Sequence, residues 1–229
     1  MNVAIIVAAG QGTRMGGERA KQFLELAGIP IIIHTLNAFE RCEIIQEIIV
    51  VLAAAEAGGF LSLAGKYGLQ KLSKVVPGGL TRCESVWHGL QAVRAATAEV
   101  VAVHDGVRPL VTPDEISRTV AAAVEHEAAV LVAPATDTIK EVANDRIVRT
   151  LDRKQLRRAL TPQCFRYALL RRAYEHADVM NPELTDDSAL VERLGHKVAI
   201  VEGSSRNIKI TTLEDLAMAE AIMKEGLRS

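Results

Sequence analysis

Aromatic side chains are scarce, with one tryptophan, three tyrosines and four phenylalanines in 229 residues. They do not interleave with basic residues, so the chain lacks the stacking platforms that bind single-stranded nucleic acid. Neither sign of charge prevails, since 27 Lys and Arg face 28 Asp and Glu, and this excludes a global field that would recruit nucleic acid or an anionic membrane. Cysteine is rare as well. Cys42, Cys83 and Cys164 lie far apart without metal-ligand spacing, which fits a reducing, cytoplasmic setting. Long apolar runs are missing: "MNVAIIVAAG" holds seven apolar residues, Val3 to Ala9, before glycine. That is too few for a membrane span or signal peptide and suits a buried strand. No Gly-x-Ser-x-Gly elbow occurs, and Cys83 and Cys164 have no histidine partner identifiable in the sequence, so acyl transfer finds no nucleophile.

What is present is a chain of 49% hydrophobic residues, long enough to bury one sizeable core. β-Branched runs at Val3–Ala8, Ile48–Ala53, Val100–His104 and Val130–Pro134 read as strands buried on both faces. Helical spacing separates them. Pro30 can open a helix with Ile32, Leu36 and Phe39 on one face, and Ser85–Ala96 carries Val86, Leu90 and Val93. Thr112-Pro113-Asp114-Glu115 and Thr211-Thr212-Leu213-Glu214 each fit a capping box. The βαβα order predicts an α/β fold: a doubly wound, mostly parallel, Rossmann-like sheet with its ligand site in the loops at the strands' C-terminal ends. No repeat or long linker divides the chain, so residues 1–229 are expected to form a single domain. Only Asp137–Ala159, polar around the short Ile147-Val148, breaks the alternation, and it is expected to project as an arm.

The loop after the first strand reads "VAAGQGTRMGGERAKQF", Val7 to Phe23. Glycines there let backbone N–H groups approach a phosphate, and the cations that follow neutralise it. Gly10 and Gly12 begin a dinucleotide fingerprint, but Met15 stands where the third glycine belongs; a P-loop fails because Glu18 and Arg19 follow Gly17. The remaining pattern, A-A-G-x-G-T-R-M followed by A-K-Q, resembles the signature loop of nucleotidyltransferases, with Arg14 and Lys21 its distinctive parts. Attack on the α-phosphorus of a nucleoside triphosphate adds negative charge to nonbridging oxygens, and fixed cations answer that need.

Other stretches are less specific alone. "HDGVRP" puts Asp105 and Arg108 at the same sheet edge; Asp105 there could bind magnesium, accept a ligand hydroxyl, or pair with Arg108. His104 beside it can order the loop. In "PGGLTRCESVWHGL", Gly78 and Gly79 read as an ordinary turn and Arg82 as a solvated helix residue. The arginines between Arg149 and Arg172 read mostly as a solvated face. "SSRNIKIT" reads as ending in a strand, with Lys209 pointing away from Ile208 and Ile210 into solvent.

Taken in order, "AAGQGTRMGG…AKQF", "PGGLTRCESVWHGL", "HDGVRP", "APATDTIK", "LDRKQLRRALTPQCF", "LTDDSALVERLG" and "EGSSRNIKITTLEDLAMAE" resemble the 2-C-methyl-D-erythritol 4-phosphate cytidylyltransferase family nearly end to end. The resemblance implies a fold of the nucleotide-diphospho-sugar transferase type. It implies transfer of CMP from CTP to 2-C-methyl-D-erythritol 4-phosphate, with magnesium, in non-mevalonate isoprenoid synthesis. On that resemblance Arg14 and Lys21 stabilise the transition state, and Gly10, Gly12 and Thr13 belong to the nucleotide-binding loop. Gly78, Gly79 and Ser85 match the cytosine-recognition region. Asp105, Arg108, Thr138, Arg153, Thr161, Thr185 and Lys209 match positions around the sugar phosphate, Arg153 and Lys209 being foremost for its phosphate. A homodimer is also implied, in which the arm at about 137–159 crosses to the partner so that Thr138 and Arg153 act in trans. Three positions depart from the family's habit: Ala20 replaces a usual proline, Gly106 a usual alanine and Leu80 a usual acidic residue. Two other readings stand beside this one: the same machinery acting on ribitol 5-phosphate, and a catalytically silent nucleotide-binding subunit, against which retention of Arg14 and Lys21 argues.

Overall fold

Period-two alternation inside the apolar runs sets the architecture. In β1 (Asn2–Ala8), β2 (Glu25–Leu26), β3 (Ile29–Pro30), β4 (Glu47–Leu52), β5 (Leu72–Pro77) and β6 (Val100–Asp105), the first, fourth and sixth form the core of a seven-stranded sheet. Ala4, Ile6, Ile48, Val50, Val100 and Ala102 face one layer of helices. Their neighbours Val3, Ile5, Ile49, Val51, Val101 and Val103 face the other. Both faces are covered, which is why these strands read as unbroken apolar stretches. The computed structural model describes residues 1–10 and 20–226.

The first layer comprises α1 (Ile31–Glu40), α2 (Ala54–Gly65) and a long helix, Pro113–His126, numbered α4 after α3 (Arg82–Ala92). Ile32, Leu36, Phe39, Phe60, Ile116 and Val120 fill the space beneath them, each large side chain contributing about 1.5–3 kcal/mol by burial. The remaining elements are β7 (Ala128–Pro134), β8 (Lys140–Ala143), β9 (Arg146–Thr150), β10 (Arg157–Arg166), α5 (Tyr167–Glu175), α6 (Asp187–Arg193), β11 (Ala199–Glu202) and α7 (Leu213–Gly226). α3, α5 and α6 form the second layer through Val86, Leu90, Leu170, Tyr174, Leu190 and Val191. The strand order is β11-β7-β10-β6-β1-β4-β5. Every neighbouring pair is parallel except those made by β10, which runs antiparallel between β6 and β7. Among the described residues, no helix is long and apolar enough to cross a membrane.

Several expectations shift. The helix expected over Ser85–Ala96 begins at Arg82, because Thr81 caps it by accepting from the Glu84 N–H at 2.9 Å. The Thr112 capping box forms with Glu115 as expected. The one before α7 slips by a residue: the Thr212 N–H donates to Asp215 at 2.9 Å and the Asp215 N–H donates to Thr212 Oγ1 at 3.3 Å, so Asp215 takes the place expected of Glu214. The segment holding Lys209 is not a strand; one bond from the Ile210 N–H to the Val107 carbonyl, 2.9 Å, ties it to the turn after β6. β10 was not expected at all. Within the 137–159 segment, β8 and β9 pair as a hairpin separate from the main sheet. Its turn is made by Asn144 and Asp145 at positive φ, and all its strand residues are exposed, Val142, Ile147 and Val148 included.

α3 lies close to the sheet because Gly89 has no side chain: a Cβ there would stand 2.6 Å from Ile5 Cγ2 and 3.0 Å from Val51 Cγ2. Both methyls belong to β-branched, fully buried residues that have little room to yield. Gly89→Ala is therefore expected to destabilise the protein by about 1–3 kcal/mol despite alanine's better helix propensity. A urea midpoint equal to or above the wild type would show that α3 is free to move outward.

Candidate active site

The C-terminal ends of β1, β5 and β6 open into one cleft of about 630 Å³. Ala8, Ala9 and Gly10 enter it from β1, Gly79 and Leu80 from the turn after β5, Thr81, Arg82 and Ser85 from the start of α3, and Asp105 from the end of β6. Lys21, Gln22 and Lys209 complete the lining. Of the residues singled out in the sequence, Gly10, Lys21, Gly79, Ser85, Asp105 and Lys209 thus meet in one place. Gly12, Thr13 and Arg14 lie outside the described residues.

The turn after β5 is tied to α3 at successive points. The Gly79 N–H donates to Ser85 Oγ at 3.1 Å, and that hydroxyl donates to the Thr81 carbonyl at 2.9 Å. The Leu80 N–H donates to Glu84, leaving the Leu80 side chain exposed at the rim. Gly78 lines an adjoining recess of about 380 Å³ that shares Ala9, Gly79 and Leu80 with the main cleft. A Cβ on Gly78 would fall 2.2 Å from Ala9 Cβ; its first role is to let the ends of β1 and β5 approach each other.

Asp105 is the electrostatic centre. It is 6% exposed, and three cations reach it: Arg82 Nε lies 3.2 Å from Oδ1, while Lys209 Nζ at 2.9 Å and Arg108 Nε at 3.4 Å share Oδ2. Burial alone would raise the carboxyl; Arg82, Lys209 and Arg108 outweigh it and hold it well below the usual carboxylate range. Arg82 continues to a second carboxylate, with Nη2 2.8 Å from Asp187 Oδ2. Burial opposes the guanidinium charge, but Asp187 and Asp105 prevail and raise its pKa further. The expectation that Arg82 is solvated is therefore corrected; the Lys209 side chain is 38% exposed, as a solvated reading implies, but it is paired with Asp105. Both oxygens of Asp105 are engaged by cations, and among the described residues no group of three His, Cys, Asp or Glu side chains is placed to hold a metal. A magnesium ion at Asp105 would have to compete with these three cations for the same two oxygens.

Behind Asp105 sits a neutral relay. The Asp105 N–H donates to Thr161 Oγ1 at 3.2 Å, Thr161 Oγ1 lies 2.9 Å from His104 Nδ1, and His104 Nε2 lies 3.3 Å from the Arg108 carbonyl. One tautomer satisfies all three contacts: Nε2–H donates to the carbonyl, and Nδ1 accepts the threonine proton. Thr161 comes within reach because the register of β10 slips between Ala159 and Gln163. It is buried and faces His104 rather than the cleft. Arg108 likewise stands behind the lining, donating from Nη1 to the Asn207 carbonyl at 2.9 Å.

Other expected residues lie elsewhere. Thr138 and Arg153 are exposed around the hairpin, Arg153 donating to the Thr136 carbonyl at 2.8 Å, and neither lines the cleft of its own chain. Thr185 is exposed in the loop before α6. The basic segment largely forms surface ion pairs, Arg157 with Glu202, Arg166 with Glu99 and Arg171 with Glu175, each of little energetic weight. Burial raises the Cys83 and Cys164 thiols, so neither is poised as a nucleophile. Sequence reasoning passed over Arg82, Asp187 and Gln22. The available signal was Arg82 itself, a cation on the first turn of a helix, where the macrodipole disfavours it.

Burial lowers His104 to about 3, against about 6.5 for a free histidine. The unfolded chain then binds the extra proton throughout that interval, so stability falls as pH drops below about 6.5, by at most about 1.4 kcal/mol per unit. Urea unfolding at about pH 7.5 and about pH 5 is expected to show a loss about 2 kcal/mol smaller in His104→Gln than in the wild type. Equal losses would assign the pH dependence to other groups.

Comparison with known proteins agrees with this geometry. The family model for 2-C-methyl-D-erythritol 4-phosphate cytidylyltransferase matches residues 2–225. The protein of that name from Bacillus velezensis is 46% identical over 223 residues, spanning 97% of this chain and 95% of its own. Its namesake from Pelotomaculum thermopropionicum is 44% identical over 223 residues, spanning 96% and 93%. The 4-diphosphocytidyl-2C-methyl-D-erythritol synthase of Anaerococcus prevotii superposes with a TM-score of 0.86 at 32% identity, over 97% of this chain and 96% of that one. The Thermus thermophilus cytidylyltransferase superposes with 0.79 at 34% identity, over 98% and 100%. With such a match along almost its whole length, this chain belongs to the 2-C-methyl-D-erythritol 4-phosphate cytidylyltransferase family.

Proposed function

We propose that the chain transfers CMP from CTP to 2-C-methyl-D-erythritol 4-phosphate, giving 4-diphosphocytidyl-2-C-methyl-D-erythritol and pyrophosphate. One observation carries the reading: Gly10, Lys21, Gly79 and Ser85, which resemble the family's nucleotide side, share a single cleft with Asp105 and Lys209, which resemble its sugar-phosphate side. An oxygen of the substrate phosphate attacks the α-phosphorus of CTP in line as the bond to the β-phosphate breaks. Lys21 opposes the charge that gathers on the nonbridging oxygens, together with Arg14 on the strength of the resemblance. The attacking phosphate needs no general base, because its second pKa near 6 leaves it mostly dianionic at neutral pH. Lys209 meets the anionic acceptor. Magnesium would be held chiefly by the triphosphate, as this ion commonly is by substrate phosphates with few protein carboxylates, and would supply further positive charge there.

The cytoplasm is the proposed compartment, in keeping with three free cysteines. We read Arg153 and Thr138, exposed on the arm, as completing the cleft of a second copy in a homodimer. Light scattering at assay concentration is expected to give a dimer, and a monomer there would remove the trans contribution.

Pyrophosphate release from CTP, measured with methylerythritol 4-phosphate and ribitol 5-phosphate side by side, tests the reaction. Strong preference for the first is expected. Preference for ribitol phosphate would move the chain to another polyol, and silence with both would favour a binding subunit. Lys21→Ala is expected to lower kcat by about a hundredfold or more, about 3–4 kcal/mol of transition-state stabilisation, with little change in thermal midpoint. Full activity in the folded variant would end the role assigned to Lys21.

A further inference from the structure

Arg82 is the first residue of α3, where the helix macrodipole disfavours a cation. Such a local conflict marks sites where something other than folding sets the residue. The side chain is largely buried, 19% exposed, and spans two carboxylates brought from distant parts of the chain: Nε reaches Asp105 Oδ1 at 3.2 Å and Nη2 reaches Asp187 Oδ2 at 2.8 Å. Nη1 is buried without a hydrogen-bond partner, so the guanidinium is not placed to satisfy its own donors. Asp187 is fixed from behind. Its Oδ1 accepts from the Tyr174 hydroxyl, its N–H donates to Gln163 Oε1 at 3.1 Å, and Tyr174 stacks on Trp87 at 5.9 Å with the rings 3° from parallel. Asp105 and Arg82 line the cleft; Asp187 and Tyr174 do not. A continuous line of polar contacts therefore runs from the packed second layer to Lys209.

We propose that Arg82 and Asp187 are positioning residues that set where the Lys209 ammonium stands in the cleft. Anchored by Asp187, the guanidinium holds Oδ1 of Asp105 and leaves Oδ2 to be shared by Lys209 and Arg108. Without that hold, Asp105 turns its whole charge toward Lys209 and Arg108 and draws the lysine in from the acceptor. Lysine cannot replace Arg82, because bridging two carboxylates needs the planar fork.

The test is the double variant Arg82→Gln/Asp187→Asn. It changes three cations against two carboxylates into two against one, so the local net charge is kept, and it removes both partners of the buried pair together, which folds tolerate far better than removing one. The single tryptophan, Trp87, stacked on Tyr174 reports by near-UV circular dichroism that the second layer is intact. Two readouts follow. Acetic anhydride labelling of Lys209, followed by mass spectrometry with the exposed Lys66 and Lys154 as internal references, is expected to slow about threefold or more as the ammonium is held more tightly. The KM for methylerythritol 4-phosphate is expected to rise about tenfold or more while the KM for CTP stays within about twofold. The kinetic readout rests on the proposed reaction, and the labelling readout does not. A wild type inactive with either polyol phosphate would therefore overturn the reaction and leave the labelling to decide the positioning role. Lys209 labelling that is unchanged or faster overturns the proposal, as does a parallel rise in both KM values. Should the double variant fail to fold, Tyr174→Phe, which keeps both charges, is expected to shift labelling and KM in the same directions by a smaller factor, and an unchanged labelling rate there overturns it equally.

Discussion

A carboxylate taken out of water at the end of a parallel strand has to be neutralised, or it costs several kilocalories per mole. Much of this molecule's functional edge follows from how Asp105 meets that demand. Its three cations come from the start of α3, from the turn after β6 and from the irregular segment before α7. Each ion pair therefore fastens a different piece of chain to the same strand end. The turn after β5 is held to α3, and α3 to Asp105, so the two expected halves of the cleft share one anchor. His104 stays neutral beneath this cluster because it is buried, and it ties the floor through Thr161 without adding charge.

How much of this a sequence discloses depends on whether the partners are local. β1, β4 and β6 were legible because both of their faces are covered and their central positions are all apolar. The Thr112 box was legible because all of its parts lie within four residues. β10 was not, since its polar residues serve remote partners: Gln163 accepts from the Asp187 and Ser188 N–H groups, Thr161 meets His104, and Arg157 pairs with Glu202. Pro162 also argues against an interior strand. Arg82 was misread for the same reason. Its second carboxylate lies 105 residues away in sequence, and no spacing rule reaches that far.

The departures from family habit have local physical readings. Ala20 adopts φ −61°, the angle a proline ring would impose, so the chain keeps that angle without the ring. Gly106 is different. A Cβ there would stand 2.8 Å from Ala8 Cβ, so the ends of β1 and β6 lie closer together than an alanine would permit.

The placement of β10 also bears on the order in which the protein is made. Among the described residues β6 pairs with β1 and β10, and the link between β6 and β7 runs through β10. As the chain leaves the ribosome, β1, β4, β5 and β6 can assemble first, but the far edge of β6 must wait for about sixty further residues. At synthesis rates of about 5–20 residues per second that is roughly 3–12 s. For that interval Val101 and Val103 stand on an unpaired edge, the kind of surface that templates aggregation. The nascent chain is therefore most exposed to mispairing, and most in need of a chaperone, between the emergence of Asp105 and that of Arg166.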